Sequence, residues 1–315
     1  MHVLLEGVVP HELSHVLFRF IFVQSLFTLK WFNSAIRGFP YSYLHSSSKP
    51  EPIEKKHIDG CGTIKQSASA MLTLVHILPV IIGHRIPLDD VYWKNTLRLV
   101  QIVLFCTSSY CTRDTAMYLK NLIAEYLYNF KSLYPKASFI PKMHYMVHLP
   151  TQMLMYGPLR HHWCMRFEGK NGYFTNKRYK NFRNIPLTLA SRHQMYMAYM
   201  QAGHEGGRSS SFLYAGDKVG SGVEITFGEV YPELLQAFCQ LTMVCVEKVY
   251  QTSFVAIHGN EYRRGCALVI NYDEDIPVFG ILFDIIVLDH VKYFILEEVE
   301  AEFNGHILVY AIKPL

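Results

Sequence analysis

The periodicity of this chain changes once, and that change limits what it can fold into. As far as about residue 203 the apolar residues recur at helical spacing, with Leu13, Val16, Leu17, Phe20 and Ile21 marking one stripe at i, i+3 and i+4. Beyond residue 247 short β-branched and aromatic runs take over, split by turn residues: "SFVAIHG", "CALVINYDED", "PVFGILFDIIVLDH", "KYFILEEV" and "HILVYAI". A helix repeats its faces every 3.6 residues and a strand every 2, so one pattern cannot serve as the other. The expected class is therefore α+β, with a mainly helical first two-thirds followed by a small β-barrel-like module.

Breakers divide the helical part. Helices are expected over residues 10–23, 29–37, 65–83, 88–108, 113–133 and 141–155, each closed by Gly, Pro or a Ser-rich turn. Pro141 suits a first helical turn, where its missing N–H costs nothing. A closing helix is read in "IPLTLASRHQMYMAYMQA", whose Met195, Met197 and Met200 read as gap-filling core contacts. Residues 42–60 are polar and Pro-bearing, and read as a loop with a mobile tip. The Gly/Ser run after Gly203 reads as a joint, giving a helical segment over 1–203, a connecting segment over 204–246 and a β-rich module over 247–315. No repeat of 20 to 50 residues is visible.

Composition excludes several classes. With 315 residues, half of them apolar, there is material for a sizeable core. A net charge of +4 is too small to demand a nucleic-acid partner for the chain as a whole. Seven cysteines without a C-x-x-C pair read as thiols of a reducing cell interior. The runs "VLFRFIFVQSLFTL" and "LTLVHILPVIIG" are interrupted by Arg19, Gln24, His76 and Pro79 and fall short of the about 20 residues a bilayer needs, so no membrane partner is expected. The opening residues lack the pattern of a signal peptide. No phosphate-cradling loop and no G-x-S-x-G turn occurs, and no small-molecule substrate is evident.

The informative charge is local. In "GPLRHHWCMRFEGKNGYFTNKRYKNFRN" a single acid, Glu168, stands among Arg160, Arg166, Lys170, Lys177, Arg178, Lys180 and Arg183. A solvated helix more commonly interleaves both signs. The plain reading is an exposed carboxylate paired with Arg166 or Lys170, worth about 0 to 1 kcal/mol. The cations could instead meet phosphates, and Tyr173, Phe174, Tyr179 and Phe182 could stack on bases or pack into a core. His144 and His148 form H-x-x-x-H, one turn apart and able to chelate Zn2+, but two ligands do not make a structural site, so ordinary core or surface histidines are the favoured reading. His161 and His162 are adjacent and diverge on a helix.

The opening "MHVLLEGVVPHEL" and the distant "HYMVHLP", "GPLRHHWCMRFEGKNGYF" and "NFRNIPLTLASRHQ", in that order, resemble the transposase-like proteins of the EnSpm/CACTA class. The resemblance covers most of the chain, and it implies an RNase H-like nuclease in which two Asp and one Glu hold two divalent ions. It makes Glu168 the family's Glu and His2 the remnant of an Asp-x-Met-His motif, whose Asp would stand before Met1. It turns the seven cations toward substrate phosphates and sets His161 and His162 beside Trp163 as packing residues.

With neither of the family's two Asp among these residues, the expectation is a catalytically incomplete transposase-derived protein with weak DNA binding. No cofactor is expected for this chain, Mg2+ or Mn2+ would serve a longer and active form, and nuclear residence follows from the resemblance. Helices built to cover missing strands would expose apolar surface and self-associate. The alternatives are a domesticated interaction protein whose β module binds a protein or nucleic acid, and a fragment of a longer active transposase.

Overall fold

The N-terminal segment is hydrophobic on nearly every side, and a helix of that kind has to sit inside a bundle. In the computed structural model, which describes residues 2–42, 45–58, 63–175, 183–202, 217–243, 248–257, 260–274 and 276–313, it does so. Leu4–Val8 is π-helical, Val9–Phe18 is α-helical (α1) and Arg19–Val23 is π-helical again. Val8, Val16, Leu17 and Phe20 along it are fully buried. The helix begins well before the expected residue 10, because Gly7 and the two valines after it conceal the period.

Around this axis pack α2 (Leu29–Gly38), α3 (Ala68–Ile82), α4 (Val91–Thr107) and α5 (Arg113–Leu133). Their starts follow from local chemistry. Thr28, Ser67, Asp90 and Thr112 each accept a hydrogen bond from the backbone N–H three residues on, a cap worth about 1 kcal/mol. Residues 68–85 are long and apolar enough to cross a bilayer by length and composition, yet Leu74, Leu78 and Ile82 there are buried core residues. The expected helix over 141–155 is two helices, α6 (Pro141–Met146) and α7 (Leu149–Tyr156), because Pro150 starts a new first turn. Then come α8 (Met165–Thr175) and α9 (Ile185–Ala202). On α9 Met195 is exposed rather than a core contact.

Within the expected loop, residues 45–58 are more anchored than a polar loop should be. Ile53 and Ile58 are buried, and the Asn33 amide bonds both the N–H and the carbonyl of Ile53, at 2.8 and 2.9 Å. Two isoleucines among the polar residues supply the burial that composition had hidden.

The chain divides into two compact units, Met1–Lys177 with Phe303–Val309, and Arg178–Glu302 with Tyr310–Leu315. The run expected as a joint falls mostly on residues 203–216, outside the described residues. A short stretch of the β-rich tail thus belongs to the helical unit. There the indole N–H of the buried Trp93 donates to the carbonyl of His306 at 3.0 Å, and the His306 Nε2 lies 3.0 and 3.1 Å from the carbonyls of Gly83 and Ile86. A Cβ on Gly83 would come within 2.3 Å of the Ile307 side chain, so glycine there lets the turn approach.

In the second unit strands begin at Lys218, earlier than the sequence suggested. Among the described residues the expected barrel is not formed. The sheets among them stay open: β1 (Lys218–Val219), β4 (Phe254–Ile257) and β5 (Asn260–Arg263) make one, and β9 (Ala301–Asn304) pairs with β10 (Val309–Ile312) on either side of the turn that belongs to the helical unit. The largest joins β2 (Gly222–Thr226), β3 (Lys248–Thr252), β6 (Ala267–Asp273), β7 (Ile276–Leu288) and β8 (Val291–Val299). β7 is long enough to carry β8 along its length and to pair also with β6 near its start and β3 near its end. A register shift between Leu282 and Asp284 turns Phe283 outward, and keeps Leu282 and Asp284 inside. The Asp284 carboxylate there is held by Arg264 at 2.5 Å, the Gln251 amide at 2.5 Å and the Tyr231 hydroxyl, which burial and that bond push up to about 12.

One acid lies inside the helical core. Glu12 is fully buried, and desolvation pushes its carboxyl up to about 7 against hydrogen bonding from its neighbours. Thr96 donates to Oε1 at 3.3 Å, while Oε2 has no partner and the Asn95 amide and Tyr126 hydroxyl beside it are out of hydrogen-bond geometry. An acid raised in the folded state favours unfolding as the unfolded chain ionises first. Stability is therefore lost as pH rises from about 4.5 to about 7, and levels off above. Glu12→Gln is expected to raise stability at pH 8, by up to about 3 kcal/mol, with little change at pH 4. Thermal melts of both chains across this range check it. The difference between them isolates Glu12 from His15, whose value, lowered to about 4 by burial, acts in the opposite sense. Separately, Trp93→Phe leaves the half-buried His306 carbonyl without its donor and is expected to cost about 1 kcal/mol in denaturant unfolding.

Candidate functional site

The two residues that the sequence singled out as motif positions, His2 and Glu168, lie 166 positions apart and meet. The His2 Nε2 is 3.8 Å from the Glu168 Oε1. Each arrives on a helical turn with a companion four residues away, the spacing that stacks side chains on one face. His2 precedes the π-helical turn that carries Glu6, and its Nδ1 bonds the Glu6 carboxylate. Cys164 stands just before α8, where the Glu168 N–H donates to its carbonyl at 2.9 Å. The Sγ of Cys164, a ring nitrogen of His2 and a carboxylate oxygen of Glu168 all lie within 4.8 Å of one another.

Packing, and not this contact, holds the two turns together. His2 and Glu168 are each 57% exposed, so their attraction is worth about 0 to 1 kcal/mol. Leu4 and Leu5 are buried, while Val3, Leu159 and Met165 press on the same core from the site's two sides. The Lys142 ammonium, on α6, donates to the Glu6 carbonyl at 2.7 Å. Its stem crosses so close that a Cβ on Gly7 would sit 2.1 Å from the Lys142 Cδ. This is a physical reason for the glycine in "HVLLEG". Beside the site a cavity of about 180 Å3, lined by Val3, Leu5, Cys106, Gln152, His162 and Trp163, is below the usual size of a ligand pocket, about 300 Å3 or more. Burial pushes the Cys106 thiol there up to about 12, which keeps it protonated and unreactive.

The remaining sequence-predicted residues fare unevenly. Arg160 is exposed and lies over the Trp163 ring, at 5.5 Å. Arg166 and Lys170 are on α8, but their side chains, and all of Lys177, Arg178 and Lys180, lie outside the described residues. The ion pair expected between Glu168 and Arg166 or Lys170 therefore falls there too. Arg183 is exposed and belongs to the second unit. Tyr173 and Phe174 meet edge to face at 5.0 Å, half-buried on α8, while Tyr179 and Phe182 are outside the described residues. His144 and His148 are exposed, with rings 5.1 Å apart, but no third His, Cys, Asp or Glu among the described residues completes a metal site with them. The His162 Nε2 lies 2.8 Å from the Tyr156 carbonyl.

No family model, curated protein or solved structure matches this chain.

Sequence reading found His2 and Glu168 through their motifs and missed Glu6 and Cys164. The signal for both is the four-residue spacing, H-x-x-x-E and C-x-x-x-E, too common alone to single out. Among the described residues no disulfide occurs. Because Lys142 fills the space above Gly7, Gly7→Val is expected to destabilise the helical unit by about 1 to 3 kcal/mol. Adding Lys142→Ala should recover part of that destabilisation, and a double-mutant cycle of unfolding free energies measures the coupling.

Proposed function

We propose that this chain is a transposase-derived, RNase H-like protein of the EnSpm/CACTA class that holds DNA by its phosphates and does not cut it. One observation carries the reading. The resemblance requires the family's Glu to return to the Asp-x-Met-His motif, and Glu168 lies 3.8 Å from His2 across 166 positions. A coincidental motif match gives no reason for that return.

The donors at the cluster argue against cleavage. A two-metal nuclease site needs several converging oxygen ligands, and Mg2+ or Mn2+ takes them in preference to other donors. Among the described residues only Glu6 and Glu168 bring carboxylates here, and the other donors are an imidazole and a thiol. This set does not fit those ions. Binding is left to the cations. Arg160 is exposed, and the sequence around Glu168 carries Arg166 and Lys170 as well, a local positive excess suited to a phosphate backbone. A DNA-binding role carries nuclear residence with it.

Titrating a labelled duplex by fluorescence anisotropy at several salt concentrations tests this reading. Affinity should fall steeply with salt, and Arg160→Ala with Lys170→Ala should weaken it and flatten the slope by about 1 for each phosphate no longer neutralised. Absence of binding at low salt, or a slope indifferent to these substitutions, would sink it. The duplex should stay intact with Mg2+ or Mn2+, and cleavage abolished by Glu168→Gln would overturn the non-cutting half.

A second reading, an interaction role for the β-rich unit, is favoured by an apolar groove of about 500 Å3 lined by Phe238, Leu241, Tyr293 and Leu296. It suits an apolar protein segment. Binding of a hydrophobic reporter dye that does not fall in Leu241→Lys would count against it.

A further inference from the structure

The mismatch between the donors at the cluster and an oxygen-loving ion has a positive side. Imidazole nitrogen, thiolate sulfur and carboxylate oxygen are the ligand set of Zn2+ and its neighbours in the first transition row. We infer that His2, Cys164 and Glu168 form a binding site for a borderline divalent transition metal, Zn2+ foremost, with Glu6 orienting His2.

Three features of the geometry support it. First, the ligands come from two facing helical turns, His2 with Glu6 and Cys164 with Glu168, so their spacing is set by the backbone of a packed unit. Second, the His2 Nδ1 is already bonded to a carboxylate and its Nε2 faces Glu168. A metal-bound histidine commonly has this arrangement, in which the carboxylate fixes the tautomer and leaves the other nitrogen's lone pair for the ion. Third, the separations are close to those needed. Ligands at 2.0 to 2.3 Å from a tetrahedral ion stand roughly 3.3 to 3.8 Å apart. The His2–Glu168 pair is at 3.8 Å, and none of the three ligand atoms exceeds 4.8 Å from another. Drawing them in by up to about 1 to 1.5 Å needs only rotamer changes of partly exposed side chains.

Chemically, the step is an exchange. Zn2+ loses water ligands, the Cys164 thiol gives its proton to solvent, and the thiolate, the neutral imidazole and the ionised carboxylate bind through lone pairs without change of oxidation state. Three protein ligands leave a fourth position open to solvent, as in sites that hold water or a further ligand. Affinity should therefore fall as pH drops, because protons compete with the ion for the same lone pairs.

The inference stands apart from DNA binding, and its test uses no nucleic acid, so either can fail alone. The full chain, freed of metal, is titrated with Zn2+ by calorimetry in buffers of different ionisation enthalpy, and with Co2+ by absorption spectroscopy. Expected are one Zn2+ per chain, about one proton released, and a thiolate-to-cobalt charge-transfer band. Cys164→Ser should abolish that band. Glu168→Gln should weaken Zn2+ binding by at least about 10-fold, and Glu6→Gln by about 10-fold while the band persists. His144→Ala with His148→Ala should change neither. The variants alter exposed or half-exposed positions, and unchanged melting curves without metal show that they fold. Absence of Zn2+ binding at micromolar concentration, unaltered binding in Cys164→Ser and Glu168→Gln, or loss of binding in the His144/His148 variant would each overturn the proposal.

Discussion

Burial of the N-terminal helical segment on nearly every side is the constraint on which the helical unit rests. Residues 4–20 offer no broad polar face, so they are stable only if α3, α4, α5 and α6 enclose them. The enclosure has a cost at Glu12, which must lie inside because the positions around it do. Enclosure also fixes the first turn of the same helix, and with it the direction in which His2 and Glu6 project. The core and the site are thus two ends of one element.

The site owes little to its own attractions. Exposed pairs such as His2 with Glu168 contribute too little to organise two helices. Their approach follows from Leu4, Leu5, Leu159 and Met165 on the apolar side of the same two turns. Gly7 adds a steric condition, since Lys142 can reach the Glu6 carbonyl only past a residue without a side chain. The polar cluster is preorganised by apolar neighbours, which is why its geometry does not depend on its own attractions.

Much of the secondary structure was legible because its signals are local. The residues of α5 and α9 could be read off directly, whereas α3 and α4 were read as starting three residues early, their starts being set by the caps Ser67 and Asp90. What was not legible depends on contacts distant in sequence. Ile53 and Ile58 look like loop residues until both are seen to be buried, with Asn33 bonding the backbone of Ile53. Pro150 looks like the interior of one helix until it begins another. The β-rich tail contains residues 303–309, whose place in the helical unit depends on a carbonyl that Trp93 reaches from far upstream. Open sheets replaced the expected barrel because β7 shares one of its edges between β6 and β3, and strand count alone carries no information about closure. At the site, Glu168 and His2 were legible through their motifs, whereas Cys164 and Glu6 matter only by proximity.

The turn that joins residues 303–309 to Trp93 spans 213 positions of sequence. A polypeptide is made from its N-terminus, so the pocket formed by Gly83, Ile86 and Trp93 leaves the ribosome long before His306 exists. Until then the helical unit has its caps and helices but stays open at that pocket, with an indole N–H and two backbone carbonyls awaiting a partner synthesised much later. Long-range closure of this kind slows folding and lengthens the interval in which apolar surface is accessible to chaperones. A frameshift or stop codon anywhere before His306 would consequently damage the helical unit as well as the β-rich one, which makes that single turn a check on the integrity of everything translated ahead of it.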